Sequence, residues 1–242
     1  MKSVGIISGT IPLHKDNIFQ ALKKTVVKTE FGNAVVFLSE MVAFIPRHGT
    51  DKSIPPHTIN PQANLKALQD IGVKEVIGIN STGSLKKEVK PGMIIIPDDY
   101  ISIYGTPTIF HNSAVHTIPT LNERIRERLI HTAERLGINA IENGVYWQAS
   151  GPRLETKAEI RMMSQFADIV GMTMASEATI AAELELPYAA ICSVDNYGHG
   201  LVEKPPTFEE IRKGASGNAR NILEIVKKYI NEQLSSGGKA AT

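Results

Sequence analysis

What most constrains this chain is a repeated local event: an apolar run stops at a short, polar, glycine-bearing sequence. Three such stops crowd between Asn143 and Gly200. Val145–Ala149 is followed by Gly151-Pro152-Arg153-Leu154-Glu155-Thr156, Asp168–Met172 leads through Gly171-Met172-Thr173, and Tyr188–Val194 gives way to Asp195-Asn196-Tyr197-Gly198-His199-Gly200. The runs are short and rich in β-branched or apolar residues, the pattern of buried strands. α/β proteins keep their ligands at such strand ends.

Between the first two strands, Thr156-Lys157-Ala158-Glu159 has capping-box spacing and opens a helical pattern of Ile160, Met162, Met163 and Phe166. Glu155 then sits just outside the helix. Its carboxylate is not needed for the cap, so it faces either a ligand at the strand ends or solvent.

The same grammar holds upstream. Val4–Ile7 reads as a strand stopping at Ser8-Gly9-Thr10, a turn whose N–H groups and hydroxyls suit an anion. Ile18, Leu22 and Val26 predict a helix over Asp16–Thr29, although Thr25-Val26-Val27 opposes it. Ala34–Leu38 and Met41–Pro46 read as a hairpin turning at Ser39-Glu40, which delivers Arg47-His48-Gly49 to a strand end. Arginine presents a fixed fork of donors for phosphate or carboxylate, and the imidazole adds one more. A surface turn is the competing reading of this pair.

Further on, Asn60–Ile71 has helical spacing with Gly72 as its stop, and the strand Val76–Ile79 ends in Asn80-Ser81-Thr82-Gly83-Ser84. Pro91-Gly92 turns into a strand at Met93–Ile96. Tyr100–Thr120 lacks periodicity and carries His111 and His116, as functional loops do. Leu121–Leu136 is an amphipathic helix whose Arg124, Arg126, Arg128 and Arg135 predict a solvated face. Phe208–Leu234 is a long amphipathic helix with a possible break at Gly214–Gly217.

Composition narrows the class. A chain of 242 residues with no internal composition break predicts one α/β domain over residues 1–234, and Ser235–Thr242, with nothing to bury, should fray. A net charge of +1 offers no footprint for nucleic acid or membrane. The sole cysteine, Cys192, lies in an apolar run and reads as a buried, inert thiol. With no run of transmembrane length and no signal-peptide pattern, a cytoplasmic setting is expected. The G-x-G-x-x-G dinucleotide fingerprint is missing.

Taken together, the strand-end sequences resemble the trimeric purine nucleoside phosphorylase and methylthioadenosine phosphorylase family. The resemblance spans nearly the whole chain: Ile6-Ile7-Ser8-Gly9-Thr10, Arg47-His48-Gly49, Pro55-Pro56-His57, Gly83-Ser84-Leu85 with Pro91-Gly92, Gly151-Pro152-Arg153 with Glu159-Ile160-Arg161, and Gly171-Met172-Thr173. It implies a single α/β domain with a mixed, partly barrelled sheet flanked by helices, assembled as a homotrimer or a dimer of trimers. It implies phosphorolysis, in which a purine nucleoside and inorganic phosphate give free base and ribose 1-phosphate. Phosphate is then a co-substrate, and neither cofactor nor metal is expected.

Carried over by motif, Thr10, Arg47, His48, Ser81 and Thr173 would hold phosphate. Met172 would lie against the ribose, Leu154, Glu155 and Asn196 would face the base, and His116 would reach a neighbouring subunit's nucleoside. The chemistry agrees, because cleaving the ribosyl C–N bond builds positive charge on the sugar and negative charge on the departing purine. Glu155 resembles the 6-oxopurine branch, since a carboxylate accepts the N1 proton of hypoxanthine or guanine. Gly198 stands where the adenine branch has a second aspartate. Inosine, guanosine or 5′-methylthioinosine are the expected substrates, methylthioadenosine is the alternative, and a non-catalytic nucleoside-binding relative is a further one. Departures from the family pattern are Ile11, Lys52, Pro61-Gln62, Leu154 in place of a base-stacking phenylalanine, and Ser176 before Glu177.

Overall fold

The computed structural model describes residues 4–9, 21–105, 107–204 and 207–237. In chain order the elements are β1 (Val4–Ser8), β2 (Lys23–Thr29), β3 (Gly32–Leu38), β4 (Val42–Pro46), α1 (Pro61–Asp70), β5 (Glu75–Ser84), β6 (Ile94–Ile95) and β7 (Asp99–Ile101). Then come α2 (Glu123–Arg135), β8 (Ala140–Ile141), β9 (Val145–Gln148), α3 (Lys157–Met163), β10 (Ile169–Gly171), α4 (Met174–Glu183), β11 (Tyr188–Tyr197) and α5 (Phe208–Gly237). The eleven strands form one mixed sheet, ordered β2-β3-β4-β1-β5-β10-β9-β7, with β11 pairing both β5 and β6 and β8 pairing β6.

β5 is the branch point. Its first half lies between β1 and β11, both parallel to it, while its last residues leave β1 and pair antiparallel with β10, Gly83 opposite Val170. That change of partner curls the sheet. It also explains why the strand runs on through Asn80–Ser84, where the sequence suggested a strand end: β11 continues alongside it to Tyr197.

Both faces of the central strands are buried, so neighbouring side chains enter opposite cores. Ile7 joins Ala43, Ile45, Leu65 and Leu68 with Met174 and Ala178 of α4. Ile6 joins Phe44 and Ile77 with Ile125 and Leu129 of α2 and Ile222, Ile225 and Val226 of α5. Cys192 is fully buried, and burial pushes its thiol pKa up.

Three expectations need correction. Residues 23–29, the described part of the proposed first helix apart from Ala21 and Leu22, form β2 and pair antiparallel with β3. The β-branched run Thr25-Val26-Val27 outweighs the helical spacing there. Second, Arg126 is buried, not solvated: its Nε donates to the Pro97 carbonyl at 2.8 Å and its Nη2 to the Glu142 carbonyl at 2.6 Å. Arg128 lies over the Tyr229 ring at 4.5 Å, whereas Arg124 is exposed as expected.

Third, α5 is continuous across Gly214–Gly217 and extends to Gly237. Gly214 is a place of close approach instead of a break, since a Cβ there would lie 2.2 Å from the Asp195 carbonyl oxygen. Replacing a helical glycine with alanine ordinarily gains about 1 kcal/mol. Here overpacking against β11 should reverse the sign, and Gly214→Ala should destabilise by about 1–3 kcal/mol in urea unfolding. A gain in stability would contradict this packing.

Candidate active site

Strands β4, β1, β5 and β11 are mutually parallel in sequence of pairing, so their C-terminal ends come out together. Those ends carry Ser8-Gly9, Arg47-His48, Asn80-Ser81 and Asp195-Asn196. β10 arrives from the opposite direction and adds Gly171-Met172-Thr173. A cavity of about 560 Å³ opens among them, and it is lined by Arg47, His48, Ser81, Leu154, Glu155, Met172, Thr173 and Asn196 together. Thr10 lies outside the described residues. His116 is exposed and lines neither this cavity nor a second one of about 540 Å³ beyond Pro56, Met172 and Thr173.

Arg47 is 3% exposed, and its fork is engaged from within. Nε and Nη2 donate to the two carboxylate oxygens of Glu177, which lies on α4 and is itself buried. Nη2 also donates to Asn80 Oδ1 at 2.8 Å, and Nη1 donates to the Ile79 carbonyl at 3.0 Å. Tyr188 donates to Glu177 Oε2 at 2.9 Å, completing the carboxylate's shell. This arrangement requires Gly78, whose Cβ would fall 1.9 Å from the Tyr188 hydroxyl oxygen. The bidentate partner of Arg47 is therefore a carboxylate of the protein. One Nη1 hydrogen remains, on the side where Gly9 passes: a Cβ on Gly9 would lie 3.1 Å from Nη1 and 2.8 Å from His48 Nε2.

His48 Nδ1 lies 2.8 Å from the Ile54 carbonyl oxygen. A carbonyl can only accept, so Nδ1 carries a proton and Nε2 faces the cavity. Burial lowers the His48 pKa, and Arg47 and Lys52 add to the effect. Lys52 lines the same cavity from the left-handed region, at φ 60°. Asn80 Nδ2 is buried without a hydrogen-bond partner among the described residues, leaving a donor beside Arg47.

At the other end, the Thr156 cap forms as the spacing predicts, with Glu159 completing the box. Arg153 is held bidentately by Glu159 at 2.8 and 2.7 Å. Glu155 is thus left to the cavity, 9% exposed, with its pKa raised by burial. A register shift between Val194 and Asn196 bulges β11 and turns the Asn196 amide toward Gly83, where a Cβ would lie 3.2 Å from Nδ2. Thr173 precedes α4, and Tyr146 accepts from both the Thr173 and Met174 N–H groups. The Ser81 hydroxyl donates to Asp195, whose pKa burial pushes up to about 7.

Glu177, Asn80, Tyr188, Asp195 and Arg212, the last of which also lines the cavity, were given no site role from the sequence. A glutamate inside the small, apolar stretch Met174–Ala182 was the available signal for Glu177. Asn80 and Asp195 are adjacent in sequence to positions that were recognised.

An Arg47–His48 corner and a Glu155–Asn196 pair, lining one cavity at the strand ends of a mixed sheet, define the small-molecule site of an α/β protein. The chain belongs to the phosphorylase superfamily, whose family model matches residues 4–231. It is 44% identical over 234 residues to a probable 6-oxopurine nucleoside phosphorylase of Archaeoglobus fulgidus, covering 95% of this chain and 96% of that one. It is 36% identical over 244 residues to an S-methyl-5′-thioadenosine phosphorylase of Pyrococcus abyssi, covering 95% and 92%. A point mutant of the adenosine/methylthioadenosine phosphorylase of Schistosoma mansoni, solved with methylthioadenosine, superposes with a TM-score of 0.86 at 24% identity over 97% of this chain and 92% of that one, a likeness of fold.

The His48 geometry makes anion binding proton-linked. With Nδ1–H committed to Ile54, Nε2 donates to an anion only when the ring is charged. Sulfate, which does not titrate near neutrality, should therefore bind more weakly as pH rises from about 5.5 to 8. Calorimetric titration should show a steeper loss for the wild type than for His48→Gln. Identical slopes would remove His48 from the anion corner.

Proposed function

We propose that the chain cleaves the N-glycosidic bond of 6-oxopurine nucleosides with inorganic phosphate, releasing free base and ribose 1-phosphate or its 5-methylthio counterpart. The observation that carries this reading is the placement of the Arg47–His48 corner and the Glu155–Asn196 pair in one cavity. Phosphate is held by Arg47, His48, Thr173 and, as the family motif implies, Thr10, and one of its oxygens attacks C1′ of the sugar. The C1′–N9 bond breaks and its electron pair passes into the purine. Asn196 donates an N–H to N7, where the negative charge gathers. Its Nδ2 donates to the Tyr197 carbonyl at 2.8 Å and retains a second hydrogen for this.

Glu155 supports the choice of base. As a carboxylate it accepts the N1 proton of hypoxanthine or guanine and opposes the N1 lone pair of adenine. Met172 packs at the sugar, and Leu154 offers an apolar wall to the ring. Methylthioadenosine is the alternative substrate, favoured by the Pyrococcus relative. The apolar Ile54 and Ile211 in the cavity wall suit a methylthio group at C5′.

The reading extends to assembly. Val115 and Ile118, 49% and 86% exposed, flank His116 and support a subunit contact that would carry His116 to a neighbour's nucleoside in a homotrimer or dimer of trimers. The buried thiol of Cys192 is consistent with a cytoplasmic setting.

The test is turnover of inosine, guanosine, methylthioinosine and methylthioadenosine, each with and without phosphate. Oxopurine nucleosides should be cleaved well, and only with phosphate. Glu155→Ala should lose about 10- to 100-fold in kcat/KM on them and little on methylthioadenosine, because it strands a buried donor. Methylthioadenosine as the best wild-type substrate would overturn the base assignment, and phosphate-independent cleavage would overturn phosphorolysis.

A further inference from the structure

One buried network touches the cavity without belonging to the anion corner or to the base-facing pair. Asp195 is 3% exposed, and both its oxygens are taken: Ser193 donates to Oδ1 and Ser81 to Oδ2. Asn218 of α5 donates to Ser193 Oγ at 2.9 Å and to the Met93 carbonyl at 3.1 Å. The direction of every bond is set by chemistry. The Asn218 amide can only donate through Nδ2, so Ser193 accepts from it and passes its own proton to Asp195. Once deprotonated, above its raised pKa of about 7, Asp195 only accepts. The single hydrogen of Ser81 is thereby spent on Asp195, and its lone pairs are what it offers the cavity.

An acceptor next to a buried carboxylate is poorly suited to phosphate oxygens, the role that the family resemblance implies for Ser81, and well suited to a ligand hydroxyl. β5 indicates which part of a nucleoside lies there. Its Ile79 carbonyl and Asn80 side chain hold Arg47 at the anion end. Gly83 faces the Asn196 amide at the base end. Ser81 follows Asn80 directly and lies two residues, about 7 Å, from Gly83 and on the same strand face, and it lines one cavity with both Arg47 and Asn196. In a substrate attacked by phosphate at one end and losing its base at the other, the part between is the pentose.

We propose that Ser81 recognises a hydroxyl of the substrate's pentose as a hydrogen-bond acceptor, and that Asp195, held by Ser193 and Asn218, is the positioning residue that fixes Ser81 in that role. The inference rests on the phosphorolysis reading above. Its second consequence is electrostatic: the buried carboxylate stands one hydroxyl away from the sugar, where positive charge develops as the C1′–N9 bond breaks. Asp195 does not touch the substrate; it acts through Ser81.

The experiment compares inosine with 2′-deoxyinosine and 3′-deoxyinosine at saturating phosphate, in the wild type, Ser81→Ala and Asp195→Asn. The wild type should prefer inosine to at least one deoxy analogue by about 10- to 100-fold in kcat/KM. Ser81→Ala should lose most of that preference by slowing inosine while leaving the sensitive deoxy analogue nearly unchanged, with KM for phosphate within about 2-fold. Asp195→Asn should erode the same preference, and if it does not fold, Ser81→Ala decides alone. A ribose preference that survives Ser81→Ala, or a large rise in KM for phosphate in its place, overturns the inference and leaves phosphorolysis standing. Absence of phosphate-dependent turnover on any nucleoside by the wild type overturns both.

Discussion

The buried pair of Arg47 and Glu177 ties the end of β4 to α4: Arg47 follows β4, Glu177 lies on α4, and their further partners come from β1, β5 and β11. Desolvating two charges is costly, and such a pair holds only when its leftover hydrogen-bonding capacity is filled, as Ile79, Asn80 and Tyr188 fill it here. Removing one partner of a pair of this kind costs about 3–5 kcal/mol, because the other charge is left stranded. The anion corner is thus rigid before any ligand arrives. It is also nearly neutral, since Glu177 offsets Arg47, and Lys52 and Arg212 are further cationic side chains in the cavity lining.

Everything else in the cavity is placed relative to that corner by β5. The strand presents Arg47's partners first, Ser81 next and Gly83 last, and its change of partner from β1 to β10 brings Met172 and Thr173 against its second half. The glycines of the site mark where backbones or rings must nearly touch. Gly78 admits the Tyr188 hydroxyl, Gly171 admits that of Tyr146, and Gly83 admits the Asn196 amide. A single β-carbon at any of them would displace a group on which the cavity depends.

Much of this was legible because strand ends announce themselves locally. Arg47, His48, Ser81, Glu155, Met172, Thr173 and Asn196 each stand at or just beyond the end of an apolar run, and all line the cavity. The capping box at Thr156 and the hairpin of β3 and β4 are likewise local and form as read. What was not legible depends on partners distant in sequence. Whether residues 23–29 pair as a strand is decided by β3 and tertiary packing over local spacing, and whether Arg126 is solvated depends on carbonyls of Pro97 and Glu142. The commitment of Arg47's fork to Glu177, 130 residues away, could not be seen from either side alone. Gly214 reads as a helix breaker in one dimension and as a docking point in three.

The central claim is that one cavity holds an anion at the Arg47–His48 corner while its far end reads an oxopurine through Glu155 and Asn196. The most direct measurement is a crystal structure of the protein with phosphate and hypoxanthine. The account predicts phosphate against Arg47 Nη1 and His48 Nε2, with the purine N1–H on Glu155 and N7 accepting from Asn196. Hypoxanthine bound with N1 away from Glu155, or phosphate bound elsewhere than the Arg47–His48 corner, would contradict it.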